Sequence, residues 1–229
     1  MRYLIKYIKY NVCLFVYYLN NIRFNFVSER DKELIINVQS INYFIEDLNF
    51  RKLSFPGLIF GGNFWLNKRL KTHVLDGSAK YQGIRQHFVD GVDWIDTDLF
   101  TIRYKKKLKE KGTVKGCTTL FCLAEKYKMY DDIYQDIKIN GVRSSNEYPN
   151  IDPIYIYIDA DGSLIYTSNG NHRLYICLIL GVDKMPVKVW ARHTKWQKKR
   201  DELATLGKIE FFSKYPSLSS HPDLLDFFN

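Results

Sequence analysis

The chain has 229 residues, of which 46% are hydrophobic and 16% aromatic. This content is ample for a packed core, in one large domain or in a domain with a substantial extension. A formal net charge of +9 at pH 7 points to an anionic partner: a nucleotide, a nucleic acid or an anionic membrane surface. A basic chain without such a partner is the alternative.

The four cysteines do not form a recognisable zinc motif. There is no CxxC pair, and no histidines lie near Cys117 and Cys122 to complete a zinc site. The simplest prediction is that all four thiols are reduced, in a cytoplasmic protein.

The N-terminal segment predicts an amphipathic helix. Arg2, Lys6 and Lys9 fall on one face, and most other positions are aliphatic or aromatic. The uninterrupted apolar run of eight residues from Val12 is too short to span a bilayer, and no signal-peptide cleavage site follows it. Two interpretations stay open. The helix lies on an anionic membrane surface through residues 1–19, or it packs on the main domain or on a partner.

Residues 28–117 are predicted to form a small α/β extension. Leu34–Val38 is typical of a strand, and Pro56-Gly57 of a turn. Residues 104–115 predict a lysine-rich helix that ends at Gly112. Its cations are either solvated or face an anion.

The strongest pattern lies between residues 154 and 190. Two strand-like runs are separated by an acidic turn at Asp161-Gly162, and a helix-like segment ended by Gly181 leads to a third strand. The second strand and the helix are joined by a polar loop, Asn169, Gly170, Asn171, His172 and Arg173. A loop at a helix N-terminus offers backbone N–H groups and the helix dipole to an anion. Arg173 would add a forked donor for a phosphate or carboxylate.

From about Asp131 to Val189 the chain resembles the ParB/sulfiredoxin-like superfamily. The matching features are a helix ending in Asn140-Gly141, the Asp161-Gly162 turn, the Asn-Gly-Asn-His-Arg loop and a closing strand from Lys184. Members bind nucleoside triphosphates at the equivalent loop. They include CTP-hydrolysing partition proteins, ATP-using sulfiredoxins and free-serine kinases.

This resemblance implies a mixed α/β (α+β) fold and a nucleotide ligand, ATP or another nucleotide, with Mg²⁺. The loop residues 169–173 would hold the phosphates. Phosphoryl transfer also needs a catalytic base. Three carboxylates are candidates between which the sequence does not choose: Glu125, Asp152 and Asp161. Asn171 stands where sulfiredoxins carry their catalytic cysteine, which argues against cysteine-sulfinic repair.

The segment after the closing strand is basic. Arg192 and His193 end the strand and are predicted to form a second anion contact near the loop. From Thr194 the pattern predicts a helix with Trp196 and Arg200 on one side. Such a surface also fits nucleic acid, through phosphate contacts and stacking, and a solvated basic helix is the alternative.

The predicted organisation has four parts: a basic amphipathic segment (1–27), an extension (28–117), the ParB/sulfiredoxin-like phosphate-binding domain (118–200) and a C-terminal tail (201–229). No Walker loop, GxSxG elbow or HExxH motif is present.

Three functions fit these patterns. The first is a nucleotide-binding enzyme, a kinase acting on a small molecule or a nucleotide hydrolase. The second is a nucleotide-sensing or DNA-associated module without turnover, although residues 201–229 are too short for the usual helix-turn-helix. The third is a ParB-like nuclease. It would need metal-binding carboxylates, for which Asp93, Asp96 and Asp98 are the candidates, although acids around a tryptophan are more typical of turns and helix caps.

Overall fold

Helices flank one mixed β-sheet in the structure, a computed structural model that describes residues 2–29, 32–45, 56–144, 147, 153–167 and 170–228. The strands are β1 (Glu33–Asn37), β2 (Ile41–Phe44), β3 (Leu58–Phe60), β4 (Arg69–Leu70), β5 (Tyr155–Ile158), β6 (Leu164–Tyr166) and β7 (Lys184–His193). The α-helices are α1 (Arg2–Arg23), α2 (Lys71–Asp76), α3 (Ala79–Phe88), α4 (Lys105–Lys111), α5 (Leu120–Tyr127), α6 (Met129–Asn140), α7 (Asn171–Leu180), α8 (Thr194–Leu206), α9 (Lys208–Lys214) and α10 (Pro222–Leu225). The predicted mixed α/β fold is confirmed.

The seven strands form a single sheet in the order β1-β7-β5-β6-β2-β4, and β3 also pairs with β7. Strands β3, β5 and β7 are parallel to one another, whereas β1 is antiparallel to β7 and β6 is antiparallel to β5. The segment predicted as an extension therefore supplies β1 to β4 to the same sheet as β5 to β7. The expected boundary at residue 117 does not separate two sheets.

The central strands are apolar on both faces, as expected for strands that are covered on both sides. Ile156 and Ile158 of β5 point into the large core, together with Leu164 and Tyr166 of β6. Tyr157, between them, points to the opposite face, where a smaller aromatic core contains Trp65 and Ile165. The alternation of side chains along a strand thus divides β5 and β6 between two cores.

Helix α7 begins at Asn171 and ends at Gly181, which adopts a left-handed conformation with φ of 66°. The predicted position of the polar loop at a helix N-terminus is confirmed. Residues 173–177 are buried consecutively, and α7 contacts α3 and α6. A helix that is buried around most of its circumference holds its N-terminus in a fixed place relative to the sheet.

The near-helical spacing of apolar residues over 118–139 predicts one helical stretch. In the structure this segment forms two helices that meet at Lys128. The Thr119 side chain caps α5 by accepting a hydrogen bond from the Cys122 N–H. Cys122 also forms a disulfide with Cys117. The prediction of reduced thiols was therefore wrong for this pair. Cys177 is a free, buried thiol.

The C-terminal helices pack on the domain through a buried ion-pair network centred on Asp223. The Asp223 carboxylate accepts hydrogen bonds from Arg192 Nε at 3.0 Å and from Trp196 Nε1 at 2.8 Å. Arg200 Nη1 lies 3.1 Å from the same carboxylate. Burial alone would raise the pKa of Asp223, but the two guanidinium groups and the Trp196 hydrogen bond hold it well below its usual range. This carboxylate joins β7, α8 and α10.

We expect Asp223→Asn to reduce the free energy of unfolding by about 3–5 kcal/mol, because it leaves two buried guanidinium groups without a counter-charge. A depressed carboxylate pKa contributes stability that is present above pH ~4 and is lost as the pH falls below it. Urea denaturation at neutral and acidic pH measures both effects. The variant should show a smaller loss in acid than the wild type.

The matched control is Glu210→Gln, which removes an exposed acid on α9. Equal stability of the Asp223 and Glu210 variants would contradict the structural role of this network.

Candidate functional site

The N-terminus of α7 is shaped by Gly170. Its φ of 72° is left-handed, and a Cβ at this position would lie 2.9 Å from Cγ1 of Ile154 and 3.5 Å from the carbonyl oxygen of Pro153. Only glycine fits both constraints without strain. A glycine cap has no side chain to accept from the first-turn amides, so these backbone donors face the space before the helix. Asn169 lies outside the described residues.

The side chains of Asn171 and Arg173 point into the protein. The Asn171 amide oxygen accepts a hydrogen bond from the Tyr166 hydroxyl. Arg173 is buried, and it lies close enough to Cys177, one turn along the helix, to influence the thiol. Burial raises the pKa of Cys177 to about 12, and the Arg173 charge acts in the opposite direction. The backbone N–H groups of this turn, rather than these two side chains, therefore face the space before the helix.

His172 is held between two tyrosines of helices α5 and α6. Its ring stacks on Tyr130 with centroids 4.0 Å apart and meets the edge of Tyr127. Its Nε2 atom lies 3.2 Å from the Tyr127 hydroxyl. Burial and, to a smaller extent, the positive charges of Lys80 and Lys115 together lower the pKa of His172 to about 2. The imidazole is therefore neutral at physiological pH.

The Tyr127 hydroxyl connects this histidine to a lysine and a second tyrosine. It accepts a hydrogen bond from Lys115 Nζ at 3.2 Å and contacts the Tyr104 hydroxyl. We assign the Tyr104 hydroxyl as the donor to Tyr127, because Tyr104 has no other acceptor in the part of the chain that the structure describes. With this assignment, Tyr127 donates its own proton to His172 Nε2.

This order of donors fixes the tautomer of His172. A neutral imidazole that accepts at Nε2 carries its proton on Nδ1. Within the described ranges, Nδ1 has no protein partner. Burial of Tyr127 raises the pKa of its phenol, so the hydroxyl stays protonated and keeps its orientation. The site thus offers one N–H donor next to the first turn of α7.

Lys115 reaches Tyr127 from a tight turn. The N–H and C=O groups of Val114 and Cys117 are hydrogen-bonded to each other, and both turn residues have positive φ, 50° at Lys115 and 75° at Gly116. This is the pattern of a type I′ turn. Among the described residues, Lys115 is the one non-glycine residue with positive φ. A lysine in this conformation costs about 1–2 kcal/mol, which often marks a functional position.

The described charges that shift the pKa of Lys115 are all positive. Its ammonium lies 4.5 Å from the Tyr127 ring centroid, and burial against this packing lowers its pKa. The charges of Lys107 on α4 and Lys126 on α5 lower the same pKa further. Lys80 and Lys115 in turn lower the pKa of His172. A bound anion would reduce the repulsion among these cations.

The sequence did not identify these residues as functional. The helical spacing of Tyr127 and Tyr130 predicts that they pack on the sheet. In the structure both belong to the large core and also contact His172. Their hydroxyl groups were the available signal, since a leucine would fill such a position without a polar atom. Lys115 carries no such signal, because its role depends on the conformation of the turn.

The predicted catalytic carboxylates are not gathered at this site. Glu125 is exposed and pairs with Lys128 at 2.8 Å. Asp161 accepts a hydrogen bond from the Ser163 N–H in the β5–β6 turn, next to Ile158 and Leu164. Helix α7 follows the other end of β6, so Asp161 lies at the opposite end of the sheet. Asp152 lies outside the described residues.

Arg192 and His193 are also remote from α7. Arg192 is in register with Ile158 at the end of β5, where the turn containing Asp161 begins. Its guanidinium group is buried against Asp223. His193 caps α8 by accepting from the Lys195 N–H at 3.0 Å. The expected second anion contact near the loop is therefore not formed. Trp196 and Arg200, predicted as a surface for nucleic acid, are buried beside Asp223.

Carboxylates suited to a metal ion are not assembled in the described part of the chain. No group of three or more histidine, cysteine or acidic side chains there is arranged to hold a metal. In the acidic segment, Asp98 accepts a hydrogen bond from Gln86 Nε2 at 2.8 Å, and Asp93 precedes a short 3₁₀ helix. The groups described around His172 are amines and phenols, which do not fit a Mg²⁺ site.

Comparison of the chain with protein-family models, with curated proteins and with solved structures finds no match. Membership of the ParB/sulfiredoxin-like superfamily therefore stays a prediction. No helix among the described residues is long and apolar enough to cross a membrane.

We expect the His172 ring to remain neutral, with its proton on Nδ1, from pH 8 to pH 4. Two-dimensional ¹⁵N–¹H NMR of the histidine rings measures both the tautomer and the titration. A titration midpoint of His172 near pH 6.5, or a ring protonated at Nε2, would contradict this order of hydrogen bonds.

The same depressed pKa affects stability. Below pH ~6.5 the unfolded chain binds a proton at this histidine and the folded chain does not. As the pH falls, this group therefore lowers the free energy of unfolding by at most about 1.4 kcal/mol per pH unit. His172→Gln should remove this part of the pH dependence.

Proposed function

We propose that the protein binds the phosphate groups of a nucleotide at the N-terminus of α7. The observation that carries this proposal is that Lys80 and Lys115 act on a buried, neutral His172, while Lys107 and Lys126 act on Lys115. The charges that shift the His172 and Lys115 pKa values are all cations. Phosphate supplies the negative charge that such a site needs. The amides of the first turn and the Nδ1–H of His172 add directional donors.

The magnitudes favour a polyphosphate over a single charge. A helix dipole contributes at most about 2 kcal/mol towards an anion, and a charge-assisted hydrogen bond about 1.5–3 kcal/mol. Contacts with Lys115, with a second lysine and with the helix N-terminus would then approach the binding free energy of a micromolar complex, roughly 8 kcal/mol, only if the protein also holds the base and the ribose. A nucleotide meets this requirement better than free phosphate.

We further propose that the bound nucleotide is turned over, by a kinase reaction on a small molecule or by hydrolysis. A base would take the proton of the acceptor hydroxyl or of water, whose oxygen attacks the terminal phosphorus as the bond to the leaving phosphate oxygen breaks. Of the three candidate carboxylates, we propose Asp152. The choice is by elimination, because Glu125 is exposed and paired with Lys128 and Asp161 is held in the β5–β6 turn. Because the described groups do not fit Mg²⁺, no step is assigned to a metal ion.

A second candidate function is a module that binds a nucleotide without turnover. The observation that favours it is the chemistry of the groups described around His172, which are amines and phenols rather than carboxylates. In either case a nucleotide ligand implies a cytoplasmic location. A disulfide such as Cys117–Cys122 is usually transient in that compartment.

We expect Lys115→Ala to weaken nucleotide binding at least about tenfold, because one charge-assisted contact is lost. Isothermal titration calorimetry with ATP, ADP, CTP and GTP measures the affinity, with and without a thiol reductant. Lys198→Ala is the matched control, since Lys198 is an exposed lysine of α8. Unchanged affinity in the Lys115 variant, or no binding of any nucleotide by the wild type, would overturn the proposal.

We expect Asp152→Asn to lower the rate of phosphate release or transfer about a hundredfold or more, while nucleotide affinity changes little. Glu125→Gln and Asp161→Asn serve as controls and should retain the wild-type rate. A wild-type protein that binds nucleotide but turns none of the four over supports the second candidate function and rejects the enzyme.

A further inference from the structure

Helix α1 exposes a continuous apolar stripe. Seven of its described side chains are large, hydrophobic and at least 40% exposed: Ile8, Val12, Leu14, Phe15, Tyr18, Leu19 and Ile22. With 3.6 residues per turn, these positions fall within an arc of roughly 160° on one side of the helix. Asn11 is the polar position inside this arc. We call these seven residues the apolar stripe.

The other side of α1 faces the protein at its C-terminal end. Asn20 is buried, and Phe24, just beyond the helix, is buried as well. The turn that follows is attached to α8: Gln197 Nε2 donates to the Phe26 carbonyl at 2.9 Å, and the Phe26 N–H donates to Asp201 at 3.2 Å. These contacts fix the rotation of α1, so that the apolar stripe faces away from the domain.

The charge of α1 indicates what covers the stripe. The helix contains Arg2, Lys6, Lys9 and Arg23 and no acidic residue; the first acid in the chain is Glu29. The positions of all four cations fall outside the arc of the apolar stripe. A second copy of the helix would bring like charges together, with no acids to pair with them. An anionic surface complements both the cations and the apolar side chains.

We propose that α1 binds an anionic lipid bilayer by lying in the plane of its surface. The apolar stripe enters the boundary between headgroups and acyl chains, with Phe15 and Tyr18 at the interface, and the cations lie near the lipid phosphates. A stripe of this width, opposite a basic face, is the pattern of helices that lie on membranes. This inference is independent of the proposed nucleotide site, which lies on other elements of the fold.

The test uses the full chain and vesicles of phosphatidylcholine with or without roughly a third phosphatidylserine. Flotation should recover the wild type with the anionic vesicles and at least about tenfold less with the neutral ones. Phe15→Ser with Ile22→Ser, which are 62% and 67% exposed, should lower the anionic partition coefficient at least about tenfold. Exposed side chains of this kind can be replaced without altering the core.

The control replaces two hydrophobic residues on other helices that are at least as exposed, Phe121→Ser with Ile209→Ser, and should float like the wild type. The proposal is overturned if the wild type does not float, or if both double variants behave alike. Light scattering adds a third outcome. A wild-type dimer that the Phe15 and Ile22 substitutions convert to a monomer would show that a second copy covers the stripe.

Discussion

The pairing of β7 with three other strands is the constraint on which the rest of the fold depends. Its first half is bonded to β1 and its second half to β3 on one side, while β5 runs along the other. β7 then continues directly into α8, so Arg192 at the end of the strand and Trp196 in the first turn of the helix lie close together. Asp223 accepts hydrogen bonds from both side chains. Segments far apart in sequence are thus held by one strand.

Positive charge is balanced differently at the two ends of the sheet. At the end where Ile158 and Arg192 are in register, the buried guanidinium groups are neutralised within the protein by Asp223. At the other end, around His172, Lys115 donates a hydrogen bond to the Tyr127 hydroxyl, and the neighbouring lysines lower its pKa as like charges. The charges around Asp223 are therefore balanced within the protein and serve its structure. Around Lys115, a bound anion would supply the balancing charge in the function that we propose.

Local patterns in the sequence predicted those features that depend on neighbouring residues. Gly170 and Gly181 bracket an apolar segment, so the bounds of α7 followed from turn chemistry and caps. The pairing of Glu33 with Lys188 has no local signature, which is why β1 was assigned to a separate extension. Arg192 and Asp223 are likewise 31 residues apart. The sequence at the end of a strand does not indicate whether its cations are exposed or buried. The placement of β1 and the burial of Arg192 are both set by long-range pairing and not by local propensity.

A neutral histidine at a cationic site follows from the same electrostatics. Burial makes a charged imidazole unfavourable, and Lys80 and Lys115 add to this effect, so the His172 ring stays neutral. The ring then contributes geometry instead of charge. Tyr127 donates to Nε2, which leaves Nδ1–H as a donor whose orientation is held by stacking on Tyr130. Because the lysines supply the charge and the histidine supplies direction, a bound phosphate would be neutralised by one set of groups and oriented by another.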